Sequence, residues 1–358
     1  MKIVFLVSHL LAGGAERTVS YLTNHISRNQ EDEITVLSLS DDVFYKLDER
    51  VNFISLGIPQ NNKNILERLY KIPLRFVKVR KVLKDIRPDA VFCMLSTTAK
   101  YIPKKRKYKL ICSERSNPMI VTDNKQIKLR NSVLQSADGI VFQTERAKEC
   151  FSKEIQSKGV VIPNAVGNPY AYKAEDVSVR EKTITAMGRL HTAKDYPALI
   201  KAFKIVSDKH PEYSLNIFGG GDNKSLLELV KEFDIDDKVK FIGAKEDAVL
   251  DIAKSTCYVL SSIYEGMPNA LMEAMAVGAP CVSTDCPFGP GELIVNGENG
   301  LLVPVGDVKS LANAICKFIE DKELACKCSQ NAKKILDTNS VDIIAKKYYD
   351  YICNIVNL

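Results

Sequence analysis

Two carboxylates, Glu265 and Glu273, stand eight residues apart in 264–284, YEGMPNALMEAMAVGAPCVST, a stretch otherwise dominated by Met, Ala, Leu and Val. Pro268 suits the first turn of a helix, where its missing N–H costs nothing, and NALMEAMAVGAP reads as a mostly buried helix ending at Gly278. Glu265 then lies in the loop before that helix, and Glu273 one to two turns in. A helix N-terminus offers backbone N–H groups and a partial positive charge to an anion. A phosphate placed against Asn269 and Ala270 would have a carboxylate on either side to accept hydrogen bonds from hydroxyls. The plainer alternative is a capping Glu265 and an exposed helical Glu273.

A second chemical stretch is MGRLHTAKDYPALI, which puts Arg189 and Lys194 on a loop before a helix that Asp195 can cap. Arg offers two donors and Lys a point charge, a pair suited to a diphosphate; the alternative is a solvated basic loop. LAGGAER sets Gly13 and Gly14 where backbone can approach a phosphate, or only make a tight turn, and IFGGGD is open to the same two readings. His9 and His191 lie near these loops, although a lone His more often serves packing. Asp234 to Asp236 (DID) resembles a metal-binding pair, but Asp before a strand favours a surface turn.

These loops need strands behind them. KIVFLVS, EITVLSL, DAVFCM, KLICS, GIVFQ and VVIP alternate with amphipathic stretches in the first half, and TITAMG, SLNIFG, KVKFIG, CYVLSS, PCVST and GLLVP do so in the second. That alternation is the βαβ signature of parallel, doubly wound α/β sheets. The length of 358 residues fits two such Rossmann-like lobes, 1–165 and 166–340, with a polar linker after Pro163. The tail 341–358 has helical periodicity and is expected to pack back on the first lobe.

Composition narrows the setting. Hydrophobic residues make up 46% and charged residues 26%, and no apolar run approaches the ~18 residues of a membrane span. The opening MKIVFLVSHL reads as a strand rather than a leader. Ten cysteines are scattered, with Cys326 and Cys328 the only close pair; this points to a reducing cytoplasm and argues against a structural metal. The net charge of +6 hides an asymmetry: 61–109 holds fifteen Lys or Arg against three acidic residues, leaving the remainder at net −6. Within it Leu66, Leu69, Phe76, Val79, Leu83 and Ile86 are expected on one helical stripe and Arg68, Lys71, Arg75 and Lys78 on another, with Pro73 breaking or kinking the helix. The stretch is either a solvated basic face or a docking surface for anionic lipid or a diphosphate-bearing acceptor, which KKRK at 104–107 favours. Stacking aromatics are not interleaved with these charges, so nucleic acid is not the expected partner.

EGMPNALMEAMAVGAPCVSTDCPFGPGELI, followed by NGENGLLVPVGD, resembles the donor-binding signature of retaining glycosyltransferases of family four, including its Glu-x7-Glu spacing. GGAER, GRLHTAKDYPALIKAF and IFGGGD are similar to weaker signatures of that family, so the resemblance covers nearly the whole chain. It implies a GT-B fold with the site in a cleft between the lobes. It assigns Glu265 to the donor sugar's hydroxyls and Glu273 to the ribose. Gly266, Met267, Pro268 and Asn269 would present backbone N–H groups to sugar and phosphate, with Ala270 and Leu271 beside the ribose. Arg189 and Lys194 would hold the diphosphate, Gly13 and Gly14 would face it, and backbone at Ala244 and Lys245 would border the base. His9, Arg17 and Arg115 are acceptor-side candidates; where many relatives carry a histidine, this chain has Ser113, Glu114 and Arg115.

The activity so implied is transfer of a hexose or N-acetylhexosamine from a UDP-sugar to a growing polyprenyl-diphosphate-linked glycan of a bacterial surface. No cofactor or metal is expected, and the enzyme would sit peripherally on the inner face of the plasma membrane. Two rivals stand beside it: a UDP-sugar 2-epimerase, for which no cluster of acidic and His groups stands out, and a non-catalytic glycan-binding descendant.

Overall fold

The computed structural model describes residues 1–11, 13–29, 31–58, 65–115, 117–167, 180–245 and 247–358. Most of the expected linker falls in 168–179 and lies outside the described residues, as do 61–64 of the basic region and the side chains of Leu66 and Arg68. The chain forms two compact units, 1–165 with 341–358, and 166–340.

The first unit runs β1 (Lys2–Val7), α1 (Gly14–Ile26), β2 (Glu33–Ser38), β3 (Asn52–Ser55), α2 (Ile65–Ile86), β4 (Ala90–Cys93), α3 (Ser96–Ala99), β5 (Lys109–Glu114), α4 (Asn124–Ser136), β6 (Gly139–Phe142), α5 (Glu145–Glu149), α6 (Lys153–Ser157) and β7 (Gly159–Val161). Its strands are parallel in the order β3-β2-β1-β4-β5-β6-β7. Alternation along β1 sends Ile3, Phe5 and Val7 to one face, where they pack with Val19 and Leu22 of α1, and Val4 and Leu6 to the other, with Val79 and Leu83 of α2. Burial on both faces is why these strands read as continuous apolar runs. The edge strand β3 is half exposed, NFIS, and carries no such run, so the sequence reading passes over it.

Helix α2 departs from expectation in two respects. It runs through Pro73 without ending. Its buried line advances by four through Arg75, Val79 and Leu83, so that Arg75 is 2% exposed and donates to Tyr101 Oη at 3.4 Å, while Leu69 stands 66% exposed. Phe76, Val79, Leu83 and Ile86 of the expected apolar stripe do face the core, but Arg75 of the expected basic stripe joins them and Leu69 does not. The face turned outward carries Leu69, Tyr70, Leu74 and Val77, and farther along Arg80, Lys81 and Lys84.

The second unit runs β8 (Glu181–Met187), α7 (Tyr196–Lys209), β9 (Ser214–Phe218), α8 (Lys224–Glu232), β10 (Val239–Gly243), α9 (Ala248–Lys254), β11 (Ser255–Leu260), α10 (Asn269–Ala276), β12 (Cys281–Thr284), α11 (Pro290–Leu293), β13 (Leu301–Val303), α12 (Val308–Glu320), α13 (Lys322–Ala332) and α14 (Leu336–Asn339). Its parallel sheet has the order β10-β9-β8-β11-β12-β13. Asp234, at φ 51°, turns the chain between α8 and β10, the surface turn expected for DID.

The closing helix α15 (Val341–Asn357) belongs to the first unit. Ile344, Tyr348 and Ile352 are fully buried against the β1 face, and the Tyr348 ring meets Phe92 edge-on at 5.6 Å. Burial of each Ile contributes roughly 1.5–3 kcal/mol. Tyr351 Oη accepts from the Ile140 amide at 2.9 Å and donates to the Lys158 carbonyl at 2.7 Å, tying the helix to β6 and to the turn before β7.

Candidate active site

In the second sheet β8 and β11 are neighbours, yet the chain leaves β8 toward β9 and β10 and leaves β11 toward β12 and β13. Loops at such a reversal diverge, and the crevice they leave at the carboxyl ends is where open α/β sheets bind ligands. The two loops here are 188–195 and 261–268.

The first is built by local hydrogen bonds. Tyr196 Oη donates to the Gly188 carbonyl at 2.9 Å, and Tyr258 Oη to that of Met187 at 3.3 Å, fixing the end of β8. His191 Nδ1 accepts from the Ala193 amide at 3.2 Å and starts a single 3-10 turn, Thr192–Lys194; His191 is a cap. Asp195, in the left-handed region at φ 46°, caps α7 by accepting from the Ala198 amide at 3.3 Å, as its sequence position suggests. Arg189 is left exposed on the loop.

The second loop is strapped to the first. The Ile263 amide donates to the Ala193 carbonyl at 2.8 Å, and Ser261 Oγ to that of Lys194 at 2.7 Å. These bonds carry Lys194 Nζ to 2.6 Å from Glu265 Oε1, an ion pair whose side chains are 20% and 14% exposed. Ser262 Oγ donates to the same carboxylate oxygen at 2.6 Å. Partial burial strengthens such a pair over a surface one.

Pro268 is the N-cap of α10 rather than a residue of its first turn, and supplies no side-chain cap. Its backbone is extended, with ψ 95°, so the helix begins one residue later, at Asn269, with its N-terminus toward the Glu265 loop. Leu271 is buried and Met267 nearly so, Ala270 is half-buried, and Glu273, in the second turn, is half-buried too. Gly266 is also half-buried. Gly289, at φ 85°, packs so closely that a Cβ there would run into the Gly266 carbonyl and the Pro268 ring. Ala244 and Lys245 follow β10 and are exposed; Lys245 Nζ pairs with Asp251 at 2.6 Å, leaving backbone as what this position can offer a ligand.

In the first unit the same reversal falls between β1 and β4. His9 and Gly13 follow β1, and Gly13 is the N-cap of α1, held by Tyr45 Oη, which accepts from its amide at 3.3 Å and donates to its carbonyl at 3.2 Å. Gly14 begins the helix. A Cβ on Gly13 would collide with the Glu16 carboxylate, which itself lies 3.6 Å from His9 Nδ1. Arg17 is half-buried on α1. Arg115 donates to Tyr348 Oη and Thr18 Oγ1, both at 3.0 Å, and to Asn164 Oδ1. Its guanidinium therefore braces α1 and α15, a use the acceptor-side expectation did not include.

Sequence reasoning missed Tyr45, Tyr196, Tyr258, Ser261, Ser262 and Gly289. Ser262-x-x-Glu265 and the eight residues from Gly188 to Tyr196 are the local spacings among them; Tyr45, Tyr258, Ser261 and Gly289 meet partners farther off in sequence.

Residues 172–335 match the family model of glycosyl transferases group 1. The chain is 27% identical, over 97% of its length and 99% of the relative's, to N-acetylgalactosamine-N,N'-diacetylbacillosaminyl-diphospho-undecaprenol 4-alpha-N-acetylgalactosaminyltransferase of Campylobacter jejuni. It is 28% identical, over 100% and 99%, to GalNAc-alpha-(1->4)-GalNAc-alpha-(1->3)-diNAcBac-PP-undecaprenol alpha-1,4-N-acetyl-D-galactosaminyltransferase of the same organism. Among solved structures it superposes on Anabaena HepE in complex with UDP and glucose, with TM-score 0.81, 19% identity and 99% of each chain covered, which gives the two units the GT-B fold. Residues 172–335 thus resemble group 1 of the glycosyl transferases, and the chain is an enzyme of the glycosyltransferase class.

Proposed function

We propose that the chain is a retaining glycosyltransferase that moves a hexose or N-acetylhexosamine from a UDP-sugar to a glycan carried on a polyprenyl diphosphate. The observation that carries this reading is the Lys194–Glu265 pair at the β8/β11 reversal, beside the N-terminus of α10. One loop thereby offers cations and the other a carboxylate to the two halves of a nucleotide sugar. The names of the two Campylobacter relatives, and UDP in HepE, support the donor and acceptor classes.

In this mechanism Glu265 accepts hydrogen bonds from sugar hydroxyls and Glu273 from the ribose, while backbone at Ala244 and Lys245 borders the base. Arg189, Lys194 and the α10 N-terminus stabilise the diphosphate as the bond from the anomeric carbon to its oxygen breaks. The acceptor hydroxyl forms the new bond on the same face, and its proton passes to the departing phosphate. With those cations in place, neither a metal nor a protein base is required. In the first unit, Gly13 and Gly14 offer backbone to a phosphate, and His9 and Arg17 offer polar groups to an acceptor.

The enzyme works peripherally on the inner face of the plasma membrane, docked through the basic region. No helix among the described residues is long and apolar enough to cross a membrane. The outward face of α2 supports docking: Leu69, Tyr70, Leu74 and Val77 are 66%, 57%, 37% and 64% exposed, with Arg80, Lys81 and Lys84 continuing it. A ridge of this kind lies in the interfacial plane of an anionic bilayer.

The test is incubation of purified protein, in EDTA, with labelled UDP-glucose, UDP-galactose, UDP-GlcNAc or UDP-GalNAc and lipid-linked glycans, followed by organic extraction. Label entering the lipid phase with the anomeric configuration kept is the expected result. An epimerised donor without transfer would replace this reading with the epimerase.

A further inference from the structure

The second unit brings together three side chains far from the loops that hold Arg189, Lys194 and Glu265. Helix α7 leaves the carboxyl edge of its sheet after β8 and runs back, so its C-cap, His210, lies toward the edge from which β9 starts. Helix α12 leaves β13 in the same sense and ends at Glu320. The two helices pack on each other, and Cys316 and Glu320, four residues apart, share one face of α12. One ligand atom from each of His210, Cys316 and Glu320 lies within 4.8 Å of the others.

We propose that His210, Cys316 and Glu320 form a zinc site that staples the end of α7 to the end of α12. The donor set is imidazole nitrogen, thiolate sulfur and carboxylate oxygen, the three ligand types Zn²⁺ takes, with a fourth position open to water. His210 Nε2 already stands 2.9 Å from Glu320 Oε1. Around a tetrahedral ion with bonds of about 2.0–2.3 Å, ligand atoms lie roughly 3.3–3.8 Å apart. The adjustment falls on Glu320, the most exposed of the three at 59%, while Cys316 is held in the core and the His210 ring meets Tyr213 edge-on at 6.1 Å. Burial raises the Cys316 thiol above its ordinary range, so taking up the ion also releases a proton. The sequence gives no notice of this site: its absence of Cys-x-x-Cys spacing argues against a structural metal, and His210 is brought to the pair on α12 only by the fold.

The site stands at the opposite edge of the sheet from the transfer residues, so the ion stabilises the unit and takes no part in transfer. The untagged full chain, stripped with EDTA and desalted, is titrated with Co²⁺ and then Zn²⁺. One equivalent of Co²⁺ is expected to bring in a near-ultraviolet thiolate-to-cobalt band that Zn²⁺ removes, and Zn²⁺ is expected to raise the melting temperature. Glu320→Gln, at an exposed position that leaves the fold untouched, should weaken apparent affinity by at least about ten-fold, and Cys316→Ser should abolish the band. Absence of the band in the native chain, or its survival undiminished in Glu320→Gln, overturns the proposal. Because UDP-sugar turnover is not the readout, failure here leaves the transferase reading standing.

Discussion

Lys194 Nζ and Glu265 Oε1, on loops 71 residues apart in sequence, stand 2.6 Å from each other, and Ser262 Oγ holds the same carboxylate oxygen at 2.6 Å. A donor that engages both side chains must share or replace this pair, so part of its binding energy goes into separating them. The arrangement keeps Lys194 aimed at the crevice, where a leaving diphosphate gains most from a fixed cation. Lys194→Met together with Arg189→Ala should cut kcat by at least about 10²–10³-fold, with circular dichroism and melting unchanged. Near-normal turnover in the double variant would sink the assignment.

The two glutamates should separate in a binding experiment. Glu273, on α10, is assigned to the ribose, so Glu273→Ala should weaken UDP itself by roughly ten-fold or more, in keeping with about 1.5–3 kcal/mol for a hydrogen bond to a charged group. Glu265→Gln should leave UDP affinity nearly intact and lower kcat with UDP-sugar. Calorimetry with UDP alone decides it: unchanged affinity in Glu273→Ala would refute the ribose role.

Gly289 tests whether loop packing positions those groups. Its φ of 85° and its closeness to Gly266 and Pro268 leave no room for a methyl group. Gly289→Ala should destabilise the second unit by about 1–3 kcal/mol and displace the Gly266–Pro268 backbone, weakening donor binding even where the protein stays folded. Urea unfolding and UDP titration on the same sample measure both; a variant unaltered in each would show that the loop tolerates the shift.

Much of this was legible before the structure because the signals were local. Parallel strands buried on both faces leave apolar runs, and all but the half-exposed β3 were read from them. Glu265, Glu273, Arg189 and Lys194 announced themselves by type and spacing. What escaped depends on pairing across the sheet: the strap from Ser261 and Ile263 to the first loop, the tyrosines behind β8, and His210 meeting Cys316. Arg75 shows a different limit, since charge suggested a solvated stripe while its four-residue spacing from Val79 and Leu83 carried it into the core.

Membrane docking by α2 should depend on both its apolar and its basic residues. Leu74→Glu with Val77→Glu removes the apolar ridge, and Arg80→Glu with Lys81→Glu removes the charge that follows it; neither pair touches the donor loops. Each should reduce sedimentation with vesicles containing anionic lipid, the charge variant more so at low salt, where a basic surface gains most. Turnover on a water-soluble acceptor analogue should be unaffected. Equal sedimentation of native and variant chains would leave the outward face of α2 as a solvated surface.

Alkaline pH should destabilise the fold through buried thiols. Burial is the leading cause that pushes Cys257 and Cys286 up to about 12 from an ordinary 9.0, and Cys281 also rises. Between those values the unfolded chain has lost thiol protons that the folded chain still holds, so rising pH favours unfolding. The stabilisation is fully present below about pH 9 and is lost progressively as pH climbs toward 12. Urea midpoints should therefore fall between pH 8 and 10.5, and Cys286→Ala should flatten that fall relative to the native chain. Cys286 lies near Glu265 and Lys194, both of which act on its thiol, so the same variant also reports whether the donor pocket tolerates the change. If the fall with pH is as steep in Cys286→Ala as in the native chain, that thiol does not contribute and the loss belongs to Cys257, Cys281 and the buried tyrosines Tyr196 and Tyr258, which burial shifts in the same direction.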